Sequence, residues 1–247
     1  MLKLFNKIRQ KLLQDNKKGA YLKYAIGEIL LVVIGILIAL QVNNWNEQRK
    51  NRRYEETMLE EVQREIMKDS KLIESWIPNL KSVEHSFTEL AVMKNNPNHN
   101  LDSLNIHLQR IRNYGIILNI NKSPYEAIKS AGLDRISNQE IRKNLTTLYG
   151  YHIESIEEWI NEVLRVELFK RNDIFYQLFD PVVVPDSAGG FSSELNIEDP
   201  SLFFKNPLFD ELILRSSWPL SIAIRRLSTV HEKMEELNGQ IAQEINR

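Results

Sequence analysis

The chain contains no cysteine among its 247 residues. Disulfide bonds, thiolate nucleophiles and cysteine-ligated zinc or iron–sulfur sites are therefore excluded. Glycine and proline are also scarce, with nine and eight residues. No Gly-x-Ser-x-Gly elbow, phosphate-binding glycine loop or dinucleotide fingerprint occurs. Since no motif supports catalysis, we expect a protein that is not an enzyme.

An excess of charge of either sign is missing too. The 32 Lys and Arg residues nearly balance the 33 Asp and Glu residues, which leaves a net charge of −1. Such a chain has no global field that would attract nucleic acid. The five histidines form neither a His-Glu-x-x-His motif nor a Glu-x-x-His pair. We therefore expect no nucleic-acid partner, no metal site and no cofactor.

One long apolar run is present, in the stretch GEILLVVIGILIALQVNNW at residues 27–45. Between residues 29 and 40 every face of a helix would be apolar, and water tolerates such a helix only when it is completely buried. Tyr21 and Tyr24 precede the run and Trp45 follows it, about 30 Å apart along a helix, as interfacial aromatic belts do. The pattern predicts a transmembrane helix over residues 21–45. A soluble core helix and a cleaved signal peptide are the alternatives.

The flanks of the run favour an uncleaved signal anchor that crosses the membrane once. A cleaved signal has a short charged region, whereas 24 residues precede this run. More basic residues precede the run than follow it: Lys3, Lys7, Arg9, Lys11, Lys17, Lys18 and Lys23 against Arg49, Lys50, Arg52 and Arg53. The bias predicts a bacterial inner-membrane protein with a cytoplasmic N-terminus and a periplasmic C-terminal domain. Residues 1–20 are predicted to form a basic amphipathic segment on the lipid bilayer.

One stripe of the predicted transmembrane helix carries Glu28, Gly35 and Ala39. The small-xxx-small spacing of Gly35 and Ala39 allows two helices to approach closely. Glu28 either reaches the head groups or meets a partner helix. These residues are our candidates for a contact that forms a homo-oligomer or binds a partner membrane protein.

Residues 46–247 are predicted to form an elongated, extracytoplasmic, all-α bundle. Apolar residues recur at steps of three and four in two long arms, which predicts antiparallel helices. Pro78 and Pro219 lie inside these arms, where proline kinks or splits a helix, and we expect them at similar heights. Between the arms, a middle helix capped by Ser137 or Asn138 is predicted to run through apolar positions from Ile141 to Val166. The proline-, glycine- and serine-rich stretch 179–201 predicts a long loop with one short strand over residues 182–184. The arms are defined by Leu59, Val62, Ile66, Ile73, Trp76, Leu80, Val83, Phe87 and Leu90, and by Phe209, Ile213, Leu220, Ala223, Leu227, Val230, Met234, Leu237 and Ile241.

The stretch KYAIGEILLVVIGILIALQVNNWNE at residues 23–47, with FNKIRQKLLQDNK before it, resembles an uncharacterised family of Bacteroidota membrane proteins, a domain of unknown function. The stretch SPYEAIKSAGLDRISNQEIRKNLTTLY at residues 123–149 is similar to the middle section of that family. The resemblance implies a single-pass envelope protein with a helical ectodomain. It implies no activity and no functional residues.

Two hypotheses of function follow. The first is a non-enzymatic envelope module that acts as a scaffold or sensor and binds a partner or ligand. The second is a membrane-tethered hydrolase or lipid-modifying enzyme with a site near the 179–201 loop. The second requires a convergent acid–base pair or nucleophile, which the linear sequence does not show.

Overall fold

The structure is a computed structural model that describes residues 18–96, 100–179, 181–185, 189–195, 197 and 199–246. Most of residues 1–20, including the predicted amphipathic segment, therefore lie outside the described residues. The chain is all-α apart from one short hairpin, with one long apolar helix near its N-terminus. Internal contacts divide it into two units, Met1–Glu56 and Thr57–Arg247.

The first helix, α1, spans Lys18–Lys94 and contributes to both units. Pro78 lies inside this helix without dividing it. The prediction allowed a split near residue 77, and the helix does not split there. Proline removes one backbone hydrogen bond, and the apolar residues that precede and follow Pro78 are buried in the same core, so tertiary packing holds both sides of the helix.

Short helices follow, and side chains cap several of their first turns. Helix α2 spans Leu101–Asn113 and is capped by Asn100, whose side chain accepts a hydrogen bond from the backbone N–H of Asp102. Helix α3 spans Ser123–Ala131 and has proline in its first turn. A 3₁₀ turn, Leu133–Arg135, leads to α4, Gln139–Thr147, which Asn138 caps as the sequence predicts. Capping side chains satisfy backbone donors that a helix start leaves free.

Helix α4 continues without a break into two π-helical turns and two further helices. The π turns are Leu148–Ile153 and Trp159–Leu164, with α5, Glu154–Glu158, between them and α6, Arg165–Leu178, after them. The predicted middle helix is therefore present over residues 139–178, with wider, π-helical turns at two places that its apolar spacing did not indicate.

The predicted loop 179–201 contains an antiparallel hairpin. Strand β1, Pro181–Pro185, pairs with β2, Phe191–Leu195, and Val183 lies opposite Ser193. The sequence predicted one strand over 182–184 and missed the second, because FSSEL at 191–195 has little β-branched or aromatic content. Helix α7, Pro200–Lys205, then precedes α8, Pro207–Ile245.

Within the unit Thr57–Arg247, α1 and α8 run antiparallel side by side. Side-chain hydrogen bonds join Gln63 to the Asn238 carbonyl, Ser70 to His231, and Glu84 to Ser221. Because Ser221 pairs with Glu84, Pro219 lies roughly one to two helical turns beyond the level of Pro78. The two prolines were predicted to lie at similar heights, and the contacts between the helices offset them by that stagger.

The core of this unit is built from the predicted arms and the middle helices. Every apolar position named for the two arms is buried except Trp76 and Ile213, which are partly buried. Five phenylalanines pack at the end where α6, α7 and α8 meet, with ring centroids 5.1–5.4 Å apart: Phe175, Phe179, Phe203, Phe204 and Phe209. Burial of this continuous core provides the main stabilisation of the fold.

Candidate functional site

The apolar span in the first unit exposes its side chains on every face. Leu31, Ile34 and Ile36 are 58%, 52% and 55% exposed. The helix is long and apolar enough to cross a membrane. A surface helix of a water-soluble protein would bury an apolar stripe and expose polar residues. This span does neither, and its surface matches hydrocarbon rather than water.

The residues predicted for the helix contact and the aromatic belts all belong to α1. Gly35 and Ala39 are exposed, and a side chain added at Gly35 would meet no atom within 4 Å. Glu28 is half-buried. Trp45 is 62% exposed and has the Arg49 guanidinium 5.4 Å from its ring centroid. The side chains of Tyr21 and Tyr24 lie outside the described residues.

The second unit contains an open cleft of about 1000 Å³ between α1 and the chain that leads into α3. One wall is the face of α1 from Lys68 to Ser75, and the other is the stretch from Asn119 to Glu126. Both walls carry polar side chains. The sequence pattern gave no indication of this cleft, since its two walls lie about 50 residues apart in the chain.

Asp69 is the buried charged group of the cleft, and only 4% of its surface is exposed. Its Oδ2 accepts a hydrogen bond from the backbone N–H of Asn121 at 3.3 Å. Burial raises the pKa of Asp69, the Asn121 N–H opposes that rise, and the charge of Glu65 adds to it. A carboxyl group held in this way favours its neutral form more than a surface carboxylate does.

Tyr149 lies behind Asp69, stacked on Tyr125 with 4.8 Å between ring centroids. Its hydroxyl is buried and has no hydrogen-bond partner among the described residues. Burial raises the pKa of Tyr149, and the charges of Asp69 and Glu65 raise it further. Burial therefore disfavours the ionised form of both Asp69, which lines the cleft, and Tyr149 behind it.

Lysines surround the cleft. Lys68 lies 3.5 Å from Glu65, and Lys122 forms a 2.5 Å ion pair with Glu157. Lys71 is exposed and has no ion-pair partner in the described part of the chain. The cleft thus offers a buried acceptor at its floor and ammonium groups at its rim, an arrangement that suits a ligand with both a hydrogen-bond donor and an anionic group.

A serine, a histidine and a glutamate meet where α1 packs on α8. The Ser70 hydroxyl donates to Glu235 Oε1 at 2.6 Å and lies 2.9 Å from His231 Nδ1. In a catalytic triad the serine proton goes to the histidine, and the acid orients the histidine from its other nitrogen. Here the proton of a fully buried serine goes to the acid. The arrangement links two helices and does not prepare a nucleophile.

A further histidine pairs with an acidic residue on α1. His85 Nε2 lies 3.6 Å from Glu89 Oε1, at the i,i+4 spacing visible in the sequence. Within the described ranges, no group of three His, Asp or Glu residues could hold a metal ion.

Residues 114–121 form an extended stretch that the sequence predictions did not include, and we call it the strand segment. Burial alternates along it: Tyr114 and Ile120 are buried, Ile116 and Leu118 are partly buried, and the residues between them are exposed. Ile117 is 86% exposed. An alternating pattern of this kind is the sequence signal of a strand, and YGIILNIN carries it.

The start of the strand segment is held by the buried Arg171. One guanidinium nitrogen donates to the carbonyls of Ile111 and Tyr114, at 2.6 and 3.2 Å. The guanidinium also lies 4.7 Å from the centroid of the Tyr114 ring. Burial lowers the pKa of Arg171 and raises the pKa of Tyr114 to about 12. The carbonyl end of α2 provides the negative potential that a buried cation requires.

Residues 28–158 match a family of unknown function, DUF6090. The chain belongs to this family. The matched residues include most of the apolar span, the cleft and the strand segment, and they cover just over half of the chain. No curated protein and no solved structure matches the chain. Family membership therefore agrees with the resemblance seen in the sequence and assigns no activity.

Proposed function

We propose that this chain is a membrane-anchored, non-enzymatic module whose helical unit binds a partner or ligand outside the cytoplasm. The supporting observation is the apolar span, which exposes large side chains on all faces of α1. Removing one such side chain from water stabilises a protein by about 1.5–3 kcal/mol. The hydrocarbon of a bilayer provides an apolar environment for every face of such a helix.

The orientation follows from charge. The basic residues that precede the span outnumber those that follow it, so the N-terminus stays in the cytoplasm and the unit Thr57–Arg247 lies in the periplasm of a bacterial cell. Lys68, Lys71 and Lys122 around Asp69 provide the polar contacts for a bound ligand. The hydrolase hypothesis, with a site near residues 179–201, stays a prediction from the sequence.

Alkaline carbonate extraction of membranes tests the anchor. The wild-type chain should stay in the membrane pellet. Replacing Val33 and Ile36 with aspartate should move it to the supernatant, since each charge at the centre of a membrane helix costs about 2.5–3.5 kcal/mol. The matched control replaces Tyr176 and Leu214 with aspartate. These two residues are at least as exposed as Val33 and Ile36, and the control should stay in the pellet. Release of the wild-type chain by carbonate would contradict the proposal.

A further inference from the structure

The strand segment spans nearly its full possible length along α1. Its start lies at Phe87, whose ring centroid is 6.3 Å from that of Tyr114, and its end lies at Asp69, which accepts the Asn121 N–H. Phe87 and Asp69 are about 27 Å apart along the helix. The seven steps from Tyr114 to Asn121 reach at most about 25 Å. The side chains that make the two end contacts cover the remaining distance. The backbone is therefore extended and held at both ends.

In the part of the chain that the structure describes, the backbone between these ends has no hydrogen-bond partner. From Gly115 to Asn119, no N–H or carbonyl makes a hydrogen bond to another described residue. The bonds that do occur lie at the ends, at the Tyr114 carbonyl and the Asn121 N–H. An extended backbone with free donors and acceptors is a template for another strand.

The composition of the strand segment also favours pairing. Between Tyr114 and Asn121 the chain has no charged residue and no proline, which are the residues that proteins use to prevent edge-to-edge pairing. Its isoleucines and tyrosine are common in strands. The exposed Ile117 at its centre would be covered by a neighbouring strand, and in this unit it is not covered.

We propose that the strand segment pairs antiparallel with the same segment of a second copy of this chain, centred on Ile117. Ile117 then lies opposite Ile117 of the second copy, and Gly115 lies opposite Asn119. Such pairing is self-complementary, as a two-fold interface requires. No like charges face each other from Gly115 to Asn119, and both backbones gain hydrogen bonds. This pairing rests on the proposed function, and the partner in that function is then a second copy of the chain.

The absence of cysteine in the chain makes the pairing testable by engineered disulfides. Full-length I117C in oxidised membranes should form a disulfide-linked dimer, because residues opposite each other in a strand pair lie within the roughly 7 Å between Cα atoms that a disulfide allows. L214C is the control for random collision, because Leu214 on α8 is also exposed, at 69%. We expect at least about fivefold more dimer from I117C than from L214C.

Two differently tagged chains test the register. G115C mixed with N119C should crosslink at least about fivefold more than either variant alone, because like positions are then about 13 Å apart along the strands. Gly115 accepts the substitution, since a side chain added there meets no atom within 4 Å. All variants are first recovered from the carbonate-resistant membrane pellet, so loss of the anchor is detected separately.

Dimer formation by I117C at the level of L214C would overturn the inference. So would mixed G115C and N119C chains that crosslink no more than either chain alone. Crosslinking of I117C to a different protein would also overturn it, because the strand segment would then pair with a strand of another partner.

Discussion

At the scale of single residues, Asp69 is a carboxyl group that the fold does not favour in its charged form. Among the described residues its one backbone donor is the Asn121 N–H, at 3.3 Å, and the nearby Glu65 repels its charge. A residue selected only for stability at this buried position would be neutral. Asp69 is buried but lines the cleft, so the ligand that we propose for this cleft would reach its carboxyl group.

Asp69→Asn should raise the stability of the helical unit at neutral pH. The pKa of Asp69 is raised in the fold above its ordinary value of 3.8. Below that value both states are protonated and no penalty exists. As pH rises past 3.8, the unfolded chain ionises first, so the wild-type chain loses stability. Asparagine has no such loss, and we expect a Tm increase of about 2–4 °C at pH 7, equivalent to roughly 1 kcal/mol.

Thermal unfolding followed by circular dichroism at pH 4 and pH 7 measures this difference. Asp210→Asn is the control, since that carboxylate is exposed and pairs with Lys94 at the surface. Its Tm difference from wild type should be small at both values of pH. If Asp69→Asn were less stable than wild type at pH 7, the ionised carboxylate would be stabilising and the account of the cleft floor would be wrong.

At the scale of elements, the structure brings together α1 and α8 in an antiparallel pair whose register is fixed by side-chain contacts. Ser70 bonds Glu235 and lies 2.9 Å from His231, while Lys94 pairs with Asp210 at the far end. Buried apolar residues from both helices fill the seam between these contacts. Polar pairs at several levels make a shift of one turn costly, because each would lose its partner.

Cysteine pairs and a short bismaleimide test this register. E84C with S221C should crosslink efficiently, since the native side chains share a hydrogen bond. L72C with S221C should not, because Leu72 lies 12 residues earlier on α1, about 18 Å away along its axis. Equal yields from the two pairs would show that the helices slide past each other and that the stagger of Pro78 and Pro219 is not fixed.

The sequence predicted the elements whose periodicity is local. The arms and the middle helix follow from apolar spacing, and the Asn138 cap follows from residue type. The register of the arms depends on contacts between distant residues, so the sequence did not predict the stagger between Pro78 and Pro219. The strand segment carried a period of two in YGIILNIN that was readable but brief. The cleft at Asp69 required the approach of Asn121, which no local pattern encodes.

At the scale of the whole molecule, one helix contributes an apolar span to the first unit and a wall of the core to the second. The span has no polar face, and the second unit has a continuous apolar core with a charged surface. The apolar surface of the span is stable in hydrocarbon, whereas the charged surface of the second unit is stable in water. We accordingly propose that residues 21–45 cross a bilayer and that the unit Thr57–Arg247 lies outside the cytoplasm.

Reporter fusions after Arg247 test this topology. Alkaline phosphatase folds only outside the cytoplasm, and a cytoplasmic reporter such as β-galactosidase is active only inside. We expect an active phosphatase fusion and an inactive β-galactosidase fusion, both in the membrane fraction. The orientation depends on the basic residues before the span. An active β-galactosidase fusion together with an inactive phosphatase fusion would contradict the account.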